Sequence, residues 1–138
     1  MTPEIRTQVR ERAGQRCEYC RYLDLIRSGP FDVEHIQPRS EGGTDDLENL
    51  AWSCDYCNGH KATATSAIDS VTGETVRLFH PRLNLWKDHF LWSDDYLSII
   101  GRTPIGRVTV DRLRLNREPV REARRLLLLV GRHPPEED

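Results

Sequence analysis

Four cysteines stand in this chain as two C-x-x-C pairs, Cys17/Cys20 and Cys54/Cys57, and no other feature limits the fold as tightly. Two thiols with two residues between them project from one tight turn. Two such turns, roughly 35 residues apart, can close on a single tetrahedral ion. In a reducing compartment two disulfides are disfavoured, so the spacing predicts a structural zinc held by Cys17, Cys20, Cys54 and Cys57. Two redox C-x-x-C sites or two disulfides are the alternatives, and neither explains why the pairs bracket the one segment dense in His, Asn and acidic residues. A core of about 50 residues is too small to be stable through apolar burial alone, so the thiolates are expected to contribute folding free energy through the metal.

The remainder of the chain sets the frame for that element. Its 138 residues suit one domain. With 37% hydrophobic and 30% charged residues it reads as a soluble globular chain, and no apolar run approaches the length that spans a bilayer. The first residues lack the basic end, apolar centre and small-residue cleavage site of a secretion signal, so a cytoplasmic location is expected. A formal net charge of −2 neither supports nor excludes a nucleic-acid partner. Arginine supplies nearly all the positive charge, Lys61 and Lys87 being the two lysines, and its planar fork suits phosphate oxygens.

Along the chain, Thr2, Pro3 and Gly14 mark a helix over residues 3–13. A polar connection with Ser28, Gly29 and Pro30 leads to an alternating strand over 31–36, broken by Gly42 and Gly43. One helical turn is expected over 45–48, a returning strand over 50–53, and a short helix from about Asn58. Further on, the patterns predict a strand over 75–79, one or two helical turns over 85–90, and a hairpin of 91–93 with 96–100 around Asp94 and Asp95. Thr103 and Pro104 open a helix with Ile105, Val108, Val110, Leu113 and Leu115 available to a core, and a last helix covers 119–130. The expected organisation is a single domain over 1–138: a zinc-bearing element at 15–65, an extension at 66–133 and an acidic tail at 134–138.

The most informative stretch is FDVEHIQPRSEGGTDDLENLAWSCDYCNGHK, residues 31–61. It resembles the HNH nuclease family: an acid followed by His, an Asn about fourteen residues on, and a His or Asn just after the second cysteine pair. Here these are Glu34, His35, Asn49 and Asn58, with Lys61 completing the N-x-x-K ending. The resemblance covers residues 15–65, and the later LFHPR and W-x-x-HF are similar to a subgroup of small bacterial HNH proteins. It implies an α+β fold with a ββα-metal (His-Me finger) core, flanked by an N-terminal helix and a C-terminal hairpin and helices. It also implies an endonuclease acting on nucleic acid, with Asn49 fixing the loop that orients His35.

Elementary chemistry gives the remaining roles. Phosphodiester hydrolysis needs an activated water, neutralised phosphate charge and help for the departing oxygen. His35, with an imidazole that can accept a proton near neutral pH, is the expected general base. A hard cation such as Mg²⁺ or Mn²⁺ prefers oxygen donors and keeps several waters, which Glu34 and Asn58 could hold. Lys61, one helical turn after Asn58, could contact the phosphate or stabilise developing charge, and Arg39 and His60 are candidate nucleic-acid contacts. Two departures from the family pattern, Glu34 where Asp is commoner and Asn58 where the second His would stand, favour Mg²⁺ or Mn²⁺ over catalytic zinc or nickel, with His60 as an alternative ligand.

His80 and His89 read as structural or as lining a substrate groove, His133 as solvated, and Trp52, Trp86 and Trp92 as core. The many arginines of the last two helices either line a phosphate groove or decorate a solvated face with ion pairs. Leu126 to Leu129 pack on the core or on a second subunit. The expected function is a metal-dependent endonuclease, DNA being the favoured substrate. A zinc-stabilised nucleic-acid-binding module without catalysis, or a redox protein, are the rivals.

Overall fold

The computed structural model describes residues 1–27 and 29–137; Ser28 of the polar connection and Asp138 of the acidic tail lie outside the described residues. Thr2 accepts a hydrogen bond from the Ile5 N–H, Pro3 takes the first helical turn, and α1 runs Pro3–Arg12. After the first cysteine knuckle, β1 (Phe31–His35) pairs antiparallel with β2 (Leu50–Cys54), placing Glu34 opposite Ala51 and His35 opposite Leu50. The intervening loop turns at Gly42, whose φ of 87° suits glycine, and a Cβ on Gly43 would stand 1.8 Å from the Gln37 carbonyl oxygen.

α2 (Asp55–Lys61) follows β2 without a break. It begins three residues before the expected start at Asn58, because the second knuckle is itself the first helical turn: Cys54 Sγ accepts from the Cys57 N–H at 3.4 Å. The expected turn at 45–48 shifts to a 3₁₀ turn at Leu47–Asn49. The order strand, loop, strand, helix is the ββα unit.

A hairpin of β3 (Ser66–Ile68) and β4 (Thr75–Arg77) comes next, β3 being unforeseen in the sequence. β4 stops short of the expected Phe79, because Leu78 and Phe79 turn into the core. α3 (Trp86–His89) leads into a second hairpin of β5 (Phe90–Trp92) and β6 (Ile99–Gly101). α4 (Pro104–Leu113) is capped by Thr103 and lies so close to this hairpin that a Cβ on Gly106 would be 2.0 Å from the His89 carbonyl oxygen. It buries Val108 and Leu113, while Ile105 and Val110 are half-buried. α5 (Glu118–Leu129) completes the chain's regular structure.

One hydrophobic cluster joins these parts, running from Val9 of α1 through Phe31, Leu50 and Trp52 of the ββα unit to Phe79, Trp86, Phe90, Val108 and Val120 of the extension. Burial of about 25 cal/mol per Å² of apolar surface makes such continuity the main force holding the extension to the ββα unit. Among the described residues no helix is long and apolar enough to cross a membrane.

Candidate active site and metal centre

All four cysteines are buried, and their Sγ atoms lie within 4.8 Å of one another. The fit to zinc can be tested on distance. Tetrahedral Zn–S bonds of about 2.3 Å require S···S edges of about 3.8 Å, and Cys20 Sγ and Cys54 Sγ are 3.8 Å apart. The cluster is therefore consistent with a tetrahedral zinc site. Around it Arg117 donates to Cys54 Sγ at 3.3 Å, Cys20 Sγ at 3.5 Å and Cys57 Sγ at 3.6 Å, and stacks 4.0 Å above the Tyr56 ring. Burial opposes charge on this guanidinium, but the Cys20, Cys57 and Cys54 thiolates hold its pKa above the ordinary value.

The second site is a cleft of about 390 Å³ whose walls include Glu34, His35, Arg39 and Asn58. Neighbours on a strand point to opposite faces. Glu34 accordingly turns inward, 4% exposed, while the His35 side chain keeps 21% of its surface open. The Lys61 ammonium is 2.7 Å from Glu34 Oε1, and Glu34 Oε2 is buried without a hydrogen-bond partner. Tyr19, fully buried, lies against the same carboxylate. Burial pushes the Glu34 carboxyl above its ordinary pKa, against the pull of Lys61. Asn58, on the first turns of α2, makes no side-chain hydrogen bond among the described residues.

Asn49 closes the loop after β1: its Oδ1 accepts from the Gln37 N–H at 2.8 Å, and its Nδ2 donates to the carbonyls of Gln37 at 3.0 Å and Thr44 at 2.8 Å. His35 Nε2 faces Asp45 Oδ1 at 2.7 Å, and Arg39 reaches the same oxygen at 2.7 Å.

Residues 17–63 match the family model of the HNH endonuclease. This segment is an HNH domain. No curated protein and no solved structure gives a significant match to the chain. The matched residues hold both cysteine pairs, β1, β2 and α2, so the HNH domain coincides with the ββα unit and its metal centre.

Within the HNH domain two assignments are corrected. Lys61 is 1% exposed, with its ammonium on Glu34 and on the Ile36 carbonyl at 3.0 Å, so it cannot reach a phosphate. The same helical spacing that puts Lys61 on the Asn58 side of α2 also drives it under the strand. His60 is no ligand in that cleft. Two residues beyond Asn58 it lies roughly 200° around the helix, stacked 4.2 Å from Tyr56, where burial first and then Arg114, Arg117 and Arg112 lower its pKa. Arg39 is exposed at the cleft, but its guanidinium is engaged by Asp45.

Outside the domain, His133 is 7% exposed rather than solvated: Nε2 meets the Tyr96 carbonyl at 2.7 Å, and the ring stands edge-on to Trp92. His80 Nδ1 accepts from the Arg82 and Leu83 N–H groups, and His89 Nδ1 meets Thr103 Oγ1 at 2.7 Å, so both histidines serve local structure. Several arginines of α4 and α5 are engaged within the fold rather than open to a phosphate. Arg107 pairs with buried Asp69, Arg112 donates to the carbonyls of His60 and Lys61, and Arg124 is buried on the carbonyls of Leu97, Leu115 and Cys20. Burial pushes the Arg124 pKa down to about 10. Leu127 packs into the core, whereas Leu126 and Leu129 are exposed.

Sequence reading missed Asp45 and Arg117. Asp45 carried a signal in the Gly-Gly-Thr-Asp-Asp run, where a carboxylate follows the loop that must return towards His35. Arg117 carried none, since its thiolate partners are 60 to 97 residues away in the chain.

Proposed function

We propose that this protein is a metal-dependent endonuclease hydrolysing phosphodiester bonds, with DNA as the favoured substrate, zinc in the four-cysteine site and Mg²⁺ or Mn²⁺ in the cleft. The observation that carries the reading is the shared cleft: its lining residues bring together a strand-borne imidazole (His35), a carboxylate buried beside Lys61 (Glu34) and an amide that makes no side-chain hydrogen bond among the described residues (Asn58). Glu34 Oε2 and Asn58 Oδ1 are oxygen donors of the kind a hard cation takes, and the orphaned Oε2 would gain a partner by it. When bound, such a cation neutralises phosphate charge and steadies the departing oxygen.

The chain's own residues do the rest. His35 removes a proton from water, the water oxygen forms the new bond to phosphorus, and the bond to the leaving oxygen breaks with its electron pair. That oxygen is then protonated from solvent. Asn49 holds the Gln37 and Thr44 backbone together and so keeps His35 in one geometry. Lys61 offsets the charge of Glu34 through Oε1, so Oε2 is the oxygen that would take the cation. A thiolate-held zinc suits a reducing compartment, which favours the cytoplasm.

Plasmid nicking by the full chain, with and without EDTA, tests the proposal against His35→Ala. Cleavage that needs added Mg²⁺ or Mn²⁺ and disappears in the variant is expected. Equal cleavage by both proteins would remove the case for catalysis, and binding without cleavage would leave a nucleic-acid-binding module.

A further inference from the structure

Beside the cleft stands a carboxylate to which the mechanism above gives no task, in contact with two of the residues that line it, His35 and Arg39. Asp45 Oδ1 lies 2.7 Å from His35 Nε2, and the same oxygen receives Arg39 through its terminal NH2 group at 2.7 Å and Nε at 3.2 Å. We propose that Asp45 is the positioning residue that fixes His35 as the Nε2–H tautomer, so that Nδ1 is the nitrogen that takes the proton from water.

This rests on His35 being the general base and adds which nitrogen acts and what decides it. An ionised carboxylate is acceptor-only. The hydrogen bonds from His35 and Arg39 hold the Asp45 carboxyl below its ordinary pKa, so it is ionised at neutral pH. An acceptor facing Nε2 is satisfied only by a proton on that nitrogen. A neutral imidazole carries one N–H, so the lone pair stands on Nδ1.

The carboxylate is placed by the loop rather than by chance contact. Asn49 Nδ2 holds the carbonyl of Thr44, the residue before Asp45, while Asn49 Oδ1 holds the N–H of Gln37, two residues after His35. One side chain therefore ties the segment carrying the acid to the segment carrying the base. Arg39 holds the carboxylate at the same oxygen. The Asp45 side chain is 58% exposed, so screening leaves it a weak source of field and its effect is on orientation.

The test uses the zinc-loaded full chain. Long-range ¹H–¹⁵N correlation spectra of the labelled protein should give the Nε2–H pattern for His35. In Asp45→Asn the amide can donate to Nε2 as well as accept, which favours the Nδ1–H form. Its kcat in plasmid nicking should fall about 10- to 100-fold, the size of the loss when the hydrogen-bond partner orienting a metal-bound histidine is removed. KM should stay within about twofold, and Asp45→Glu should recover much of the rate. An Nδ1–H pattern in the wild type, or an unchanged kcat in Asp45→Asn, overturns the assignment. The two levels separate cleanly: an active His35→Ala removes the base reading itself, whereas an inactive His35→Ala with an Nδ1–H wild type removes Asp45 alone.

Discussion

Four thiolates around one divalent cation leave a net charge of about −2, and in a buried site that charge needs a partner. Arg117 is placed to be that partner, with three N–H···S contacts of 3.3 to 3.6 Å and its flat face on Tyr56. The perturbation is Arg117→Met, which keeps the length and apolar stem and removes the charge. Removing an outer hydrogen-bond partner of a metal ligand costs about 10- to 100-fold in metal affinity. At about 1.4 kcal/mol per decade this is about 1.4–2.8 kcal/mol. The lower end applies if water takes over the sulfur lone pairs, since Arg117 is half-buried rather than sealed. The upper end applies if the three contacts act together. Arg117→Lys, an ammonium that cannot fork across three sulfurs, should fall between.

Zinc affinity is read by competition with a chromophoric chelator at pH 7.5, and circular dichroism of the zinc-saturated variants checks that the fold is retained. A Met variant that holds zinc within twofold of wild type would refute the reasoning. So would a Lys variant weaker than Met, because then charge is not what the sulfurs require.

Two further outcomes are expected. Lys61→Met strands the Glu34 carboxylate in a buried site, and urea unfolding at saturating zinc should show a loss of about 3–5 kcal/mol, the cost of breaking one half of a buried pair. Adding Glu34→Gln should restore most of it, and a single variant as stable as the double would show the pair to be unimportant. His133 is held neutral: burial lowers its pKa, with Arg124 and Arg16 adding to the effect and the Tyr96 carbonyl opposing it. The unfolded chain therefore takes up the proton first. Stability contributed by neutral His133 is complete above the unfolded value of about 6.5 and falls as the pH drops towards the lowered folded value. His60, His80 and His89 shift in the same direction, so the comparison is with His133→Gln, whose melting temperature should decline less between pH 7.5 and 5.5; parallel curves would refute it.

What the sequence disclosed was local. Thr2 with Pro3, and Thr103 with Pro104, place α1 and α4 because a cap acts within one turn of itself. β1 follows from alternation to within one residue of its end, and the cysteine cluster follows from spacing, since each C-x-x-C turn is nearly self-contained. What it hid was set by distant partners. β3 has three residues and no alternation to read; it exists because β4 pairs with it and because Asp69, in the connecting turn, is anchored by Arg107 of α4. His133 sits among prolines and acids that suggest solvent, yet Tyr96 and Trp92 supply a pocket. Lys61 looked like a surface cation because nothing adjacent to it in sequence predicts Glu34 beneath it.

The adjacency of Glu34 and His35 gains its meaning from strand geometry. Residues that touch in sequence are sent to opposite faces of β1. The carboxylate goes under α2, where Lys61 and Tyr19 surround it, and the imidazole goes to the loop side, where Asp45 meets it. Both residues still line one cleft, with Asn58 in its α2 wall. That wall must not drift. Arg112 of α4 ties the carbonyls of His60 and Lys61 at the end of α2, and Arg117 at the start of α5 ties the sulfurs of Cys54 and Cys57 at its beginning. The arginines that looked like phosphate contacts therefore hold the helix that carries Asn58. The matched family segment, 17–63, contains neither of them, so the extension's contribution is to fix the position of α2 against β1, the two elements that carry Asn58, Glu34 and His35.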